Sequence, residues 1–318
     1  MVVTRRNNIL QVLNDELRES MKIIDPHLHL FNLGQGDYQW LKLNNPPFWS
    51  DKTAINKSFT ENDLILLPPM ELVGFVHIEA GYDNNHPWRE LAALEQNCNK
   101  LFKAIANIDL TSSSHNFSQC LTKLSSFRSF IGVRHILDEQ ALSLLTDKQV
   151  LSNFEELNDY AKNVDQGLIF ETQLTLTEHA PVNALCEVIS ANPDISFVIN
   201  HAGFPPTDIQ SMEWQYWQSN LLKLSMFPHV SIKCSGWEMN DRNYQAVWLN
   251  ENLSVLFNLF GTKRMMLASN FPLCLFSRNN YQDYWKSMIT SEFFIGLSEQ
   301  EKSALSHDNA LHFYHLNE

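Results

Sequence analysis

Short, mostly apolar runs recur along the chain, separated by stretches whose apolar residues fall at helical spacing. The runs Ile23 to Asp25, Gly74 to Glu79, Lys103 to Ile108, Phe130 to His135, Gly167 to Glu171, Ile195 to Asn200, Val230 to Cys234 and Arg264 to Ser269 have the length and texture of buried strands. Between them, Trp88 to Asn99, Phe117 to Phe127, Leu151 to Val164 and Pro181 to Ala191 read as helices. A further helix over Trp214 to Leu224 sets Trp214, Trp217, Leu221 and Leu224 on one face, a pattern of core packing rather than of a ligand box. After the first interval, strands begin about 30 residues apart, the length of one strand-helix unit. Eight such units closing on themselves predict an α/β fold, a single (β/α)8 TIM barrel. An open doubly wound sheet also alternates, but no GxGxxG follows the first strand, and eight even units favour closure.

The first interval is longer than the others. It holds Trp40, Pro46, Pro47, Phe48 and Trp49, so residues 32 to 62 are expected to fold as a long loop over the barrel mouth. Before the first strand, Ile9, Leu10, Leu13 and Leu17 lie near helical spacing among Arg5, Arg6, Asp15, Glu16, Arg18 and Glu19. Residues 1–22 are therefore expected to form a helical extension and residues 23–318 the barrel domain. That segment has no secretory apolar core, and no run approaches the ~18 apolar residues of a membrane span, so a cytoplasmic protein is expected.

Composition narrows the partners. With 23 Lys+Arg against 36 Asp+Glu and a net charge of -13, a face able to hold nucleic acid or an anionic membrane is not expected, and a small-molecule substrate is. A homo-oligomer is left open. The 5 cysteines include no CxxC pair, which points to reduced, buried thiols.

Barrel enzymes place their chemistry at the C-terminal strand ends. Here those ends carry His27 and His29, Glu79, Arg134 and His135, Glu171, His201, Trp237 and Glu238, and Asn270. His27 and His29, two residues apart, leave one strand on the same face. Arg134 has a planar fork suited to a carboxylate or a developing oxyanion, and a regular strand would turn its neighbour His135 to the other side. Glu79 is suited to orient a histidine or meet substrate hydroxyls, and Trp40 and Trp237 to stack on a sugar-like ring or simply pack.

Several segments together resemble the amidohydrolase superfamily, in the group holding L-fuconolactonase-like and 2-pyrone-4,6-dicarboxylate lactonase-like enzymes. They are Asp25-Pro26-His27-Leu28-His29-Leu30-Phe31, Gly132-Val133-Arg134-His135, Val198-Ile199-Asn200-His201-Ala202-Gly203-Phe204-Pro205, Ile232-Lys233-Cys234-Ser235-Gly236, Arg264 to Cys274, and the late Asn309-Ala310 and Phe313-Tyr314. They fall in family order over residues 22 to 316. The resemblance implies hydrolysis of a lactone or related ester at the barrel mouth, with His27, His29 and His201 around the reacting carbonyl and a strand-8 aspartate taking the proton of the attacking water.

That last position departs from the pattern. Similar proteins carry Ser-Asp-Trp-Pro, whereas this chain has Ser269-Asn270-Phe271-Pro272. An amide can orient a water but cannot accept its proton near neutral pH. The base would then be His201, Glu79 or Glu171, with Asn270 positioning the nucleophile and His27, His29 or Arg134 polarising the carbonyl. Two other outcomes stand beside this one: a metal-dependent decarboxylase of the same superfamily, or a ligand-binding protein without turnover. As to cofactors, either none is required or one divalent metal such as zinc is held by His27, His29 and His201, which offer three neutral nitrogens.

Overall fold

The computed structural model describes residues 20–316. Eight strands, β1 (Met21–Leu28), β2 (Met70–Ile78), β3 (Phe102–Asn107), β4 (Phe130–Arg134), β5 (Leu168–Thr172), β6 (Ile195–Ile199), β7 (Val230–Cys234) and β8 (Met265–Leu267), pair in sequence order, all parallel. The ring is drawn together between β8 and β1, where Asn270 N–H donates to the His27 carbonyl at 2.8 Å and His29 N–H to the Phe271 carbonyl at 2.7 Å. The expected (β/α)8 barrel is the observed fold.

Period-two alternation explains the two apolar layers. Ile24, Val76, Ile105, Ile169, Val198 and Met266 point into the barrel and pack with Ala310, Tyr314 and Leu316, which close its lower end. Their neighbours Ile23, Phe75, Ala104, Phe170 and Phe197 point outward and pack under the helices. The helix Lys148–Lys162 shows how that outer layer is built: Asp147 caps its first turn by accepting from the Gln149 and Val150 N–H groups, and Val150, Phe154, Leu157 and Ala161 form its buried stripe.

The differences from expectation lie at element ends. β1 begins at Met21 rather than Ile23 because Met21 and Lys22 pair with Met70 and Glu71. β8 is shorter than expected, since Arg264 lies in a 3-10 turn and the chain leaves the sheet before the left-handed Asn270. The second helix is Ser114–Leu124, three residues earlier than its apolar pattern suggests, because extended Ser113 starts it. The helix expected over Met1 to Met21 lies outside the described residues, apart from Met21. Cys234 and Cys274 are buried thiols as expected, whereas Cys98, Cys120 and Cys186 are only partly buried. Among the described residues no helix is long and apolar enough to cross a membrane.

The loop over residues 32 to 62 does cover the mouth. Its core is Lys52, 1% exposed, whose ammonium donates to the carbonyls of Trp40 (2.8 Å), Lys42 (3.2 Å) and Asn45 (2.7 Å). Every donor of the buried cation can thus be met by backbone, satisfying the requirement that a buried charge be hydrogen-bonded.

Candidate active site

A cleft of about 730 Å³ opens at the C-terminal barrel face, lined among others by His29, Trp40, Trp49, Glu79, Arg134, Asp138, Glu139, Gln173, His201 and Asn270. His27 lies buried beside it, its ring centroid 5.2 Å from that of His29 and 4.5 Å from that of His201. Three of the expected histidines therefore converge.

Each imidazole is held by Nδ1. The His29 Nδ1–H donates to the Ile78 carbonyl at 2.8 Å; a carbonyl can only accept, so the Nε2 of neutral His29 carries a lone pair. His201 Nδ1 lies 3.1 Å from the Ser235 hydroxyl, and His27 Nδ1 3.4 Å from the Lys233 ammonium, while His27 Nε2 is buried without a partner. Burial, reinforced by positive charge from Lys233 at His27 and from Arg134 at His29 and His201, holds all three well below the usual histidine range. They are neutral at neutral pH.

His201 is presented by a strained turn. Its φ of 53° and the 54° of Ala202 lie in the left-handed region, which costs a non-glycine residue roughly 1–2 kcal/mol. Gly236 makes the space for its ring: a Cβ there would come within 2.5 Å of His201 Nδ1.

Beneath the histidines, Lys233 and Glu171 form an ion pair with no exposed side-chain surface, at 2.6 and 2.8 Å to the two carboxylate oxygens. Lys233 also donates to the Pro26 carbonyl, and the Tyr314 hydroxyl donates to Glu171. Burial, opposed by Glu171, pushes Lys233 down to about 8. Both oxygens of Glu171 are thus engaged by protein donors.

On the opposite wall the Arg134 fork is engaged by protein. Its Nε donates to Glu79 Oε1 at 2.8 Å, Nη2 to the Glu79 carbonyl at 2.9 Å, and Nη1 to Gln173 Oε1 at 3.1 Å. A register shift between β3 and β4 leaves Ile131 without a partner and so aims Arg134 into the mouth. His135 turns away, its Nδ1 3.1 Å from the Ile108 carbonyl, and does not line the cleft. Burial raises the Glu79 carboxyl, with Arg134 acting in the opposite sense. Trp40 lines the cleft with its indole N–H donating to the Ala80 carbonyl at 2.7 Å. Trp237 does not; it is fully buried, edge-on to Trp248.

At the end of β8 two buried carboxylates flank the chain. Asp25 accepts from the backbone N–H of His27 and Ser269, the Ser269 hydroxyl and the Tyr281 hydroxyl, yet burial still raises it to about 6. Glu238 receives Asn270 Nδ2 at 2.7 Å on Oε1, and its Oε2 is buried with no partner. Burial pushes it up to about 7.

These donors do not fit a divalent metal. Among the described residues no three His, Cys, Asp or Glu side chains come together in a group able to hold one. Position 270 offers an amide, a poorer ligand than a carboxylate, and Arg134 and Lys233 place positive charge beside the imidazoles.

Sequence reasoning missed Asp25, Ser235, Lys233 and Gly236 as parts of the site. Asp25 and Lys233 carried a signal, a charge inside an otherwise apolar strand, which burial permits only when it is paired. His77 holds the β1 exit: the Leu30 N–H donates to its Nδ1, leaving Nε2–H to donate to Glu90 at 3.0 Å.

The model of the Amidohydrolase family matches residues 128–316. Among curated relatives, the chain is 28% identical over 315 residues to uncharacterized protein y4mH of Sinorhizobium fredii, covering 92% of this chain and 98% of that one. It is 26% identical over 313 residues to the L-fucono-1,5-lactonase of Burkholderia multivorans, covering 93% and 96%. Among solved structures, a zinc-bound amidohydrolase from Burkholderia multivorans superposes with a TM-score of 0.75 at 18% identity, covering 93% of this chain and 99% of that one.

Proposed function

The chain belongs to the amidohydrolase family, and from that premise we propose that it hydrolyses the ester bond of a neutral, hydroxylated lactone at the C-terminal barrel face. The observation that carries the substrate class is the charge of the cleft. Among the described residues, Glu79, Asp138 and Glu139 line it against a single arginine, and that arginine is already paired with Glu79. A lactone bearing carboxylates would meet acidic groups and no free cation. Hydroxyl groups, by contrast, find acceptors in Glu79, Asp138 and Gln173. The lactonase name of the Burkholderia relative supports the reaction class.

In this reading the His29 Nε2 lone pair accepts a proton from the attacking water while Asn270 Oδ1 holds that water. His201, which lines the cleft beside the buried His27, is the imidazole placed to meet the carbonyl oxygen as it becomes an oxyanion. A depressed histidine makes a weak base in the resting site, but the negative charge forming next to it favours the imidazolium as the reaction proceeds. Arg134 acts through Glu79 and Gln173, keeping the substrate-facing acceptors in place.

A pH-indicator assay in the presence of chelator tests this, with aldonolactones in one series and pyrone dicarboxylate lactones in the other. Turnover of the neutral series is expected, falling about 10²–10⁴-fold in His29→Asn. Turnover confined to the dicarboxylates would overturn the substrate class.

A further inference from the structure

Asn270 lines the cleft, and Glu238 sits directly behind it without lining the cleft itself. Only one hydrogen bond joins them, from Asn270 Nδ2 to Glu238 Oε1 at 2.7 Å. Asn270 Oδ1 and Glu238 Oε2 are both buried and unpartnered. An ionised carboxylate can only accept, so it draws the NH2 end of the amide toward itself and leaves the oxygen end for the cleft. The backbone here has φ 57°, a left-handed conformation that asparagine tolerates better than most residues.

We propose that Glu238 is a positioning residue that fixes the Asn270 amide with Oδ1 toward the cleft, where it accepts from the nucleophilic water. The inference rests on the hydrolytic reading above. The carboxylate that the resemblance leads one to expect at position 270 has in effect moved one layer back: it no longer takes the proton of water but decides which end of an amide the water meets. A protonated Glu238 could donate to Asn270 Oδ1 and so stabilise the reversed amide, which would offer the cleft N–H donors in place of an acceptor. One proton on a residue outside the cleft would then switch the water site off.

The surroundings of Glu238 bear on where that switch lies. Arg242, whose guanidinium donates to the Glu238 carbonyl, and Arg278 favour the ionised form. Cys274, Tyr244 and Tyr284 also face it, all held neutral by burial at ordinary pH. Burial outweighs the arginines and raises Glu238 to about 7. The cleft histidines lie well below their usual range, so they do not produce a limb near neutrality.

The test uses wild type, Glu238→Gln and Glu238→Leu with a neutral aldonolactone, measuring kcat and KM across the pH range. In parallel, the side-chain amide resonances of Asn270 are followed without substrate, identified by their loss in Asn270→Asp. The expected result is an amide signal that titrates near neutral pH in wild type and in neither Glu238 variant. Glu238→Leu should lose about ten- to a hundredfold in kcat with KM nearly unchanged, the effect of removing a hydrogen bond to a charged group. Glu238→Gln carries both a donor and an acceptor, as protonated Glu238 does, and should hold kcat near the low-pH level of wild type at every pH, its acid limb gone. A Glu238→Gln profile superimposed on wild type, with no amide titration, would overturn the proposal. Amide titration without turnover of any lactone would overturn the hydrolytic reading and leave the Glu238 orientation standing; turnover without titration would do the reverse.

Discussion

Asp25 and Glu238 are both fully buried carboxylates beside the end of β8, and they are treated in opposite ways. Asp25 receives donors from two backbone N–H groups, a serine and a tyrosine, and so ties β1 to the segment after β8 where the barrel closes. Glu238 receives one side-chain amide N–H, from Asn270, besides its own backbone N–H, and keeps an oxygen without a partner. A saturated carboxylate has one stable arrangement and serves as a clasp; a half-satisfied one has a second arrangement within reach. Burial alone does not separate structure from function here, whereas the count of partners does.

The largest expected effect breaks the clasp. Asp25→Ala strands four donors at once and should cost at least about 3 kcal/mol in urea unfolding, whereas Glu238→Gln at pH 5 should cost less than about 1 kcal/mol. Similar losses at the two positions would collapse the distinction.

The next effect concerns pH. The folded Glu238 lies at about 7 against an ordinary 4.5, so its contribution to stability is complete below 4.5 and is lost as pH rises through 7. Glu238→Gln should therefore gain about 1–3 kcal/mol over wild type at pH 8 relative to the same comparison at pH 5. Unfolding curves at the two pH values that shift in parallel would show that Glu238 is not held raised.

Asn270→Asp sharpens the same point by setting two carboxylates in hydrogen-bond contact. One of the pair must keep a proton, and a stability loss of about 1–2 kcal/mol at pH 8 is expected, relieved in the double variant with Glu238→Gln. No relief in the double variant would mean that Glu238 and position 270 are not coupled.

The smallest effect lies with the histidines, whose folded values are below 6.5. Their contribution is present above 6.5 and lost as pH falls, because the unfolded chain then binds protons that the folded site refuses. His201→Asn should reduce the stability loss between pH 6.5 and 5.5 by about 1 kcal/mol, read from denaturant midpoints.

The barrel was legible in the sequence because a buried parallel strand is written as a short apolar run and the interval between runs is set by one helix and two loops. Val230–Cys234 was matched to the residue. The ends were less legible: Met21 and Lys22 pair because Met70 and Glu71 lie opposite, which no local pattern records. Of the site, the spacing of His27 and His29, the ends of β4 and β6, and the amide at 270 could be read directly. What sequence could not supply was depth. Trp40 and Trp237 look alike as loop aromatics, yet one lines the cleft and the other packs on Trp248. Glu79, Glu171 and Glu238 all sit near strand ends, and only the contacts show one paired with Arg134, one locked on Lys233 and one half-free.

The ammonium of Lys52, ringed by three carbonyls, makes the loop over the mouth behave as an architrave rather than a door. The cation stiffens the span from within, and Asp37 N–H to the Tyr82 carbonyl, Tyr38 N–H to the Gly81 carbonyl and the Trp40 indole N–H to the Ala80 carbonyl tie it to the segment after β2, contacts it must give up before it can swing. Traffic into and out of the cleft would then pass beneath a fixed span. No opening of that span would then have to precede each turnover.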